Sequence, residues 1–227
     1  MKLSLVFFSF FISSTYAYSA ESFTLGSVEE TSYDTILKVT QKRVEDVYRN
    51  IGINVKVKTY PGLRSLLEAN IGNLDGEVSR IKGLESEYSN LIMLKPAIFT
   101  MEHLALTRNK NLVISKIADF KQYRTSTVLG IKWQEELSKK IGSSVFRSNQ
   151  KAIELLCADR LDIVIGDRLP LEEILKSLPK EKREQLHFIS IPIPNNFLYH
   201  YIHKRHKDLA PKIEQSIEKV MAKVNTL

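Results

Sequence analysis

The 227-residue sequence contains a single cysteine, one tryptophan, 9 glycines and 7 prolines. One cysteine cannot form an internal disulfide, and the common zinc modules need several thiolates, so a disulfide scaffold and a cysteine-rich zinc module are both excluded. The low glycine and proline content excludes a collagen-like or low-complexity chain. With 43% hydrophobic residues, the chain can build one large domain or two small lobes that packing stabilises.

Motifs that carry catalysis are also missing. The sequence has no Gly-x-Ser-x-Gly elbow, no glycine-rich phosphate loop and no His-Glu-x-x-His pair. Cys157 lies among apolar residues of a helical pattern and is interpreted as a small core side chain rather than a nucleophile. We therefore predict a protein that is not an enzyme and that uses no cofactor.

The one long apolar run lies at the N-terminus. Lys2 precedes an apolar run over residues 3–12, and small and polar residues follow it. This order is typical of a secretory signal peptide, and the run is too short to span a bilayer comfortably. We expect residues 1–20 to be a cleaved signal peptide, with cleavage after Ala17 or Ser19 as open alternatives, and the mature protein to be exported and not membrane-embedded.

The charge is positive but scattered. The chain has 33 Lys and Arg residues against 26 Asp and Glu residues, a net charge of +7. Nucleic-acid binding needs basic residues that are clustered and interleaved with aromatic ones. The densest basic stretch, residues 203–207, precedes a helical pattern and suits a solvated turn equally well. Nucleic acid is therefore not a predicted partner, and the charge favours anionic ligands only weakly.

Short strand patterns alternate with helical patterns in the first half of the chain. The strand pattern at Phe23–Gly26 precedes a helix that ends at Gly52, residues 53–58 alternate as in an edge strand, Pro61 opens a second helix, and residues 74–81 form the next strand. This order predicts a mainly parallel sheet with ligands at the carboxyl ends of its strands.

A second unit of the same type is predicted from about Met101. Its elements are a strand at 126–130, a helix at 133–141, a strand at 144–147, a helix capped by Ser148, a buried strand at 161–166, a helix at 171–178, strands at 187–193 and 197–202, and a helix at 209–224. The whole pattern predicts an α/β protein with two lobes.

Two charged residues stand at predicted strand ends, where α/β proteins place ligand contacts. Arg80 lies at the end of the strand at 74–81, and Asp167 follows the buried strand at 161–166. For Arg80 the alternative is a surface ion pair with Glu77 or Glu85, and for Asp167 it is capping of the next helix.

Trp133 begins a predicted helix just after Gly130, where backbone amides and the helix dipole can receive an anion. An aromatic ring at this position can stack on a ligand or pack into the core. Trp133 is therefore a candidate wall of a ligand site, with core packing as the alternative.

Three histidines, His200, His203 and His206, recur at every third position. On a helix this spacing could form a metal-binding face, but the surrounding alternation predicts a strand, which sends His200 and His203 to opposite faces. We therefore predict no metal site.

Several phrases, in their order and spacing, resemble family 3 of the bacterial extracellular solute-binding proteins, which have the type 2 periplasmic binding protein fold. The phrases are residues 72–76 (GNLDG) with Pro96 downstream, 117–120 (IADF), 145–148 (VFRS), 158–167 (ADRLDIVIGD) and 199–204 (YHYIHK). The resemblance implies two α/β lobes joined by two crossing strands, with a cleft that closes on a ligand. It implies that residues 21–100 and 189–227 form lobe 1 and residues 101–188 form lobe 2.

The resemblance also implies ligand contacts. Family members that bind amino acids pair the ligand carboxylate with an arginine of lobe 1 and the ammonium with an aspartate of lobe 2. Asp167 falls at the place of the aspartate. The place of the arginine is taken by residues around Glu87 in an arginine-free loop, so Arg80 is the candidate substitute.

The first loop falls where the family places an aromatic wall. It contains Glu30, Thr31 and Tyr33, although the spacing of Thr31 and Asp34 is also that of a capping box. The candidate binding residues are therefore Arg80, Asp167, Trp133, Tyr33, Glu30 and Thr31.

Together these features predict a monomeric periplasmic solute-binding protein. It would capture a small polar or anionic ligand, amino-acid-like or carboxylate, by lobe closure, and the family implies a membrane permease of an ABC-type transporter or a sensor kinase as its partner. The alternative is a small periplasmic enzyme on the same fold, such as a prephenate-type dehydratase, with Glu29, Glu30 or Asp167 as acid or base.

Overall fold

The structure is a computed structural model that describes residues 22–29 and 34–224. The predicted signal peptide and the candidate contacts Glu30, Thr31 and Tyr33 lie outside these ranges. Over the described ranges, no helix has both the length and the apolar character needed to cross a membrane.

The first sheet is assembled from both ends of the chain. Its strands are β1 (Ser22–Val28), β2 (Asn54–Tyr60), β3 (Gly76–Arg80), β4 (Leu91–Met93), β5 (Phe99–Met101) and β11 (Asn196–His203). Their order is β2-β1-β3-β11-β4, and β5 also pairs with β11. β1 is parallel to β2 and β3, whereas β11 is antiparallel to β3, β4 and β5. β11 therefore runs against the other strands of this sheet.

The second sheet comes from the middle of the chain. Its strands are β6 (His103–Thr107), β7 (Thr125–Val128), β8 (Ser144–Phe146), β9 (Ile163–Asp167) and β10 (His187–Ser190), in the order β10-β6-β9-β7-β8. β7 is parallel to β8 and β9, whereas β6 is antiparallel to β9 and β10. Here β6 is the strand that runs against the others.

Each reversed strand is the first one after the chain crosses between the sheets. The crossings lie between Met101 and His103 and between Ser190 and Asn196. A strand that pairs parallel to the strand before it in its sheet needs a long crossover connection. β6 and β11 enter their sheets directly from the other lobe, so they need no such connection. The predicted mainly parallel sheets are confirmed with this one exception in each. Because β6 is reversed, its first residue, His103, lies at the edge where β9 ends.

The helices cover the sheets. They are α1 (Asp34–Arg49), α2 (Gly62–Asn70), α3 (Lys132–Ile141), α4 (Asn149–Cys157), α5 (Arg168–Ser177), α6 (Lys180–Arg183) and α7 (Ala210–Val224), with short 3₁₀ helices at Leu84–Ser86, Ile117–Gln122 and Lys204–Leu209. α1 and α7 pack on each other, and α2 packs on β1 and β3. Ser148 is confirmed as the cap of α4, since its Oγ accepts a hydrogen bond from the Lys151 amide at 3.4 Å.

The core confirms the predicted buried strand, although it runs over Ile163–Asp167 rather than residues 161–166. Val164 packs in one apolar cluster with Leu104 and Leu106, and Ile163 and Ile165 pack in another with Ala105. Alternate residues of β9 therefore face opposite sides of the sheet, and both sides are covered. Burial on both faces explains the continuous apolar run in the sequence.

His200 lies within β11 and is completely buried. Its Nδ1 donates to the Glu77 carbonyl oxygen at 2.8 Å, so its Nε2 accepts from the Tyr48 hydroxyl, also at 2.8 Å. The predicted strand is confirmed here, and His200 binds core partners. Burial lowers the pKa of His200 from 6.5 to about 4.

We expect this histidine to make the protein acid-sensitive. Below pH 6.5 the unfolded chain protonates His200 while the folded protein does not, so stability is lost as the pH falls toward 4, by about 3 kcal/mol at most. Urea unfolding between pH 7 and pH 4.5 should show a shallower pH dependence in a His200→Gln variant than in the wild type. A His187→Gln variant serves as the control. Identical pH dependence in His200→Gln and the wild type would contradict the expectation.

Candidate ligand-binding cleft

A cavity of about 500 Å³ lies between the two lobes. Its lining is mostly apolar and comes from both lobes and from the strands that join them: Val28, Ile36, Leu37, Ser79, Arg80, Ile81, Met101, Lys132, Trp133, Glu136, Asn196 and Leu198. A volume of this size is typical of small-molecule pockets, which combine an apolar lining with a few placed polar groups.

Arg80 is held in the wall of lobe 1 by two contacts. Its Nε donates to Oε2 of Glu77 at 2.7 Å, and its Nη2 donates to the Gly62 carbonyl oxygen at 3.0 Å. Nη1 has no hydrogen-bond partner among residues 22–29 and 34–224. The guanidinium is therefore fixed on one side and keeps a nitrogen that can donate to an anionic group.

The partner of Arg80 is a buried carboxylate. Glu77 is completely buried, and its Oε1 accepts a hydrogen bond from the Ser65 hydroxyl. Burial raises the pKa of Glu77, against the opposing effects of the Arg80 charge and the hydrogen bonds from Ser65 and Arg80. The alternative prediction for Arg80, a surface ion pair with Glu77 or Glu85, therefore names the correct partner, Glu77, but the pair is largely buried rather than on the surface.

Lobe 2 contributes three side chains that contact one another. The Trp133 ring stacks on the His103 ring, with centroids 4.1 Å apart and planes inclined by 34°. His103 Nδ1 lies 2.6 Å from Asp167 Oδ1, and the two residues are 4% and 2% exposed. In the described part of the chain, Trp133 Nε1, His103 Nε2 and Asp167 Oδ2 are buried without a hydrogen-bond partner.

Asp167 is the last residue of β9 and occupies the N-cap position of α5, but its side chain makes no capping hydrogen bond. The capping interpretation of Asp167 is therefore wrong. Asp167 is not in the wall of this cavity, but it contacts His103, whose ring lies against Trp133 in the wall, and it lines a smaller pocket of about 120 Å³ that shares Ile36 and Met101 with the cavity.

Two amides in the segment that leads from β7 into α3 are already occupied. The Gly130 amide donates to Glu135 Oε1 and the Val128 amide donates to Gln134 Oε1, each at 2.8 Å. These two amides are therefore not free for an anion, whereas the expectation for Trp133 also concerns the amides in the first turn of α3, which begins at Lys132. The exposed Lys132 side chain is the cationic group that α3 adds to the cavity.

The structure thus divides the predicted contacts. Arg80 and Trp133 line one cavity from opposite lobes, and Asp167 lies beside it. The sequence analysis missed His103, Lys132 and Glu136. The last two stand four residues apart across Trp133, a spacing that would have placed them on one helix face.

Two remaining candidates for other chemistry are a metal site and the single cysteine, Cys157. Within the described ranges, no three His, Cys, Asp or Glu side chains are arranged to hold a metal ion. Cys157 is partly buried and packs against an apolar cluster of lobe 2, which confirms its interpretation as a core side chain.

Comparison with known proteins identifies the fold. No protein-family model matches the chain. The L-cystine solute receptor of Neisseria gonorrhoeae, in an unliganded open conformation, superposes with a TM-score of 0.67 at 15% identity, over 90% of this chain and 89% of the receptor. A histidine kinase sensor domain with similarity to periplasmic binding proteins superposes with a TM-score of 0.56 at 12% identity, over 90% and 92%. The chain therefore has the two-lobe fold of the type 2 periplasmic binding proteins.

A relative is found by sequence as well. An uncharacterized protein of Shewanella oneidensis is 24% identical over an alignment of 180 residues that covers 75% of this chain. The match spans 66% of the length of that protein.

Proposed function

We propose that this protein is a periplasmic solute-binding protein, of the family 3 type, that captures a small ligand carrying an anionic group. The cavity between the lobes carries the proposal, because Arg80 lies in one wall and Trp133 in the other. A ligand that touches both walls favours the closed arrangement of the lobes, and its differential affinity for that arrangement drives closure.

We further propose the division of the chain into lobe 1 at residues 21–100 and 189–227 and lobe 2 at residues 101–188. The pairing of β5 with β11 and of β6 with β10 supports this division, with Met101 pairing in the sheet of lobe 1 and Ile189 and Ser190 pairing in the sheet of lobe 2. The crossing segments are therefore residue 102 and residues 191–195. Bending there would move one lobe against the other. Such bending is the motion by which hinged two-lobe proteins close.

The location and partners belong to the same proposal. Residues 1–20 would direct export to the periplasm, where the protein would act as a monomer without catalysing a reaction. The matched receptor and sensor domain support two roles for a bound state, delivery to an ABC-type permease and signalling to a membrane sensor. A closed, liganded form is the species that either partner would recognise.

The test combines ligand binding with a closure measurement. The chain from residue 21 is screened by thermal shift against amino acids and small carboxylates, since a ligand of the folded state raises the melting temperature. For a hit, small-angle scattering should show a smaller radius of gyration, and the emission of Trp133, the only tryptophan, should shift.

A Trp133→Phe variant is the matched control for the emission change. It should lose the signal and still compact on binding. The proposal is wrong if no compound binds folded, ligand-free protein, or if a bound compound changes neither the radius of gyration nor the Trp133 emission.

A further inference from the structure

The carboxylate of Asp167 already has a partner inside the protein. His103 Nδ1 donates to Asp167 Oδ1 at 2.6 Å, and the two residues face each other in the register of β6 and β9. Burial of a carboxylate without a partner costs free energy, and the hydrogen bond from His103 offsets part of that cost. Without His103, a ligand cation could take the same place beside Asp167.

His103 is also held from other directions. Its backbone amide donates to Asn195 Oδ1 at 3.0 Å, which links β6 to the second crossing segment. Its ring lies against Trp133, with the ring centroids 4.1 Å apart. Because backbone and ring are both held, His103 is not free to swing away and make room for a ligand group.

The other acidic groups near the cavity offer little to a ligand cation. Glu77 is completely buried and binds Arg80 and Ser65. Glu136 lines the cavity but is exposed to solvent, where an ion pair contributes little. An ammonium group entering the cavity would lose its hydration, and no desolvated carboxylate among these residues awaits it.

The same cavity suits a carboxylate with an apolar body. Arg80 keeps Nη1 for an anionic oxygen, and apolar residues such as Ile36, Leu37, Ile81 and Leu198 form most of the lining. Burial of an apolar ligand body against such side chains is favourable in proportion to the area removed from water.

We propose that the cleft binds small carboxylates that carry an apolar body and no ammonium group, because His103 occupies the Asp167 carboxylate from within. The proposal rests on the proposed solute-binding function and names the ligand class of that site. Asp167 Oδ2 is buried without a hydrogen-bond partner in the described part of the chain, but Asp167 lies outside the wall of the cavity and so gives a ligand amine no direct contact.

Matched ligand pairs test this class directly. Phenylalanine and 3-phenylpropanoate, and leucine and 4-methylpentanoate, differ only in the amine. Isothermal titration of the chain from residue 21 should show the carboxylate without the amine binding at least about tenfold more tightly in one or both pairs. Equal or tighter binding of the amino acids would overturn the ligand class and leave the solute-binding function standing. Failure of both pairs and of the wider screen would overturn both.

Two variants test the role of His103. His103→Ala removes the partner of Asp167. We expect this variant to bind the amino acid of each ligand pair at least about tenfold more tightly, relative to the carboxylate without the amine, than the wild type does. In the double variant His103→Ala/Asp167→Asn this gain should disappear. Because His103→Ala leaves a buried charge unpaired, its folding is checked by circular dichroism.

If His103→Ala does not fold, the single variant Asp167→Asn, which keeps His103, tests the proposal instead. It should keep the wild-type preference within each pair, since the proposal gives Asp167 no contact with the ligand. Loss of carboxylate binding in Asp167→Asn, or no gain in a folded His103→Ala protein, would overturn the proposal.

Discussion

Replacement of Arg80 by alanine is expected to weaken ligand binding about thirtyfold or more, equivalent to about 2 kcal/mol, and also to destabilise the fold. Binding is lost because Arg80 is the cationic group fixed in the wall of lobe 1, with Nη1 still available. Stability is lost because the completely buried Glu77 would lose its cationic partner, which costs about 3 kcal/mol or more. Urea unfolding and titration of a hit from the screen measure the two effects.

The two roles of Arg80 can be separated by pH and by a second substitution. Burial raises the pKa of Glu77, so between that raised pKa and 4.5 the folded state binds more protons than the unfolded state. Protonation therefore favours folding in this window. Removal of Arg80, whose charge and hydrogen bond lower the pKa of Glu77, raises this pKa further, so the stability deficit of Arg80→Ala should shrink as the pH falls. An Arg80→Ala/Glu77→Gln variant should recover most of the stability and none of the binding.

Arg124→Ala is the matched control for the loss of an arginine. Arg124 belongs to lobe 2, is half exposed and pairs with Asp162, away from the cavity wall. It should leave ligand affinity unchanged. An Arg80→Ala protein that is destabilised yet binds the hit as the wild type does would show that Arg80 is purely structural.

Replacement of Gly76 by alanine should be strongly destabilising. Gly76 pairs with Ile202 where β3 meets the reversed strand β11. A Cβ at this position would lie 2.9 Å from the Ile202 Cα and closer still to the Tyr201 carbonyl oxygen. Both are backbone atoms, so no side-chain rotation relieves the overlap, and we expect a loss of about 3 kcal/mol or more.

Gly62→Ala provides the comparison. A Cβ at Gly62 would meet its nearest neighbour, a Val28 methyl group, at 3.7 Å, an ordinary contact, and α2 begins at this residue. Urea midpoints should therefore be near the wild-type value for Gly62→Ala and far below it for Gly76→Ala. A wild-type midpoint in Gly76→Ala would show that β3 and β11 approach less closely than described.

The phrase GNLDG at residues 72–76 is part of the resemblance that the sequence shows, but its structural role cannot be derived from the sequence. The structure shows that Asp75 accepts hydrogen bonds from the Thr24 amide at 2.7 Å and from the Arg205 side chain at 2.5 Å, and that Gly76 allows two strands to approach. These partners lie 51 and 130 residues away along the chain, so no local pattern could have named them.

The sequence by itself determined the elements whose signal is local. Alternation at residues 53–58, the apolar run at 161–166 and the helical spacing before Gly52 each express which face of one element is buried, and burial acts on successive residues of that element. The α/β class, the two lobes and the strand ends carrying Arg80 and Asp167 followed from these patterns.

Only the tertiary structure decided which side chains meet at the cleft. β6 has five residues and is antiparallel to its neighbours β9 and β10. No local sequence pattern could therefore predict that His103 faces Asp167, 64 residues away along the chain. The burial of Glu77 beside Arg80 likewise depends on how α2 packs on β3 and how β11 pairs with β3. Periodicity reports burial along one element, whereas a binding site is a meeting of side chains from several elements, and their relative placement is set by strand pairing and packing across the whole chain.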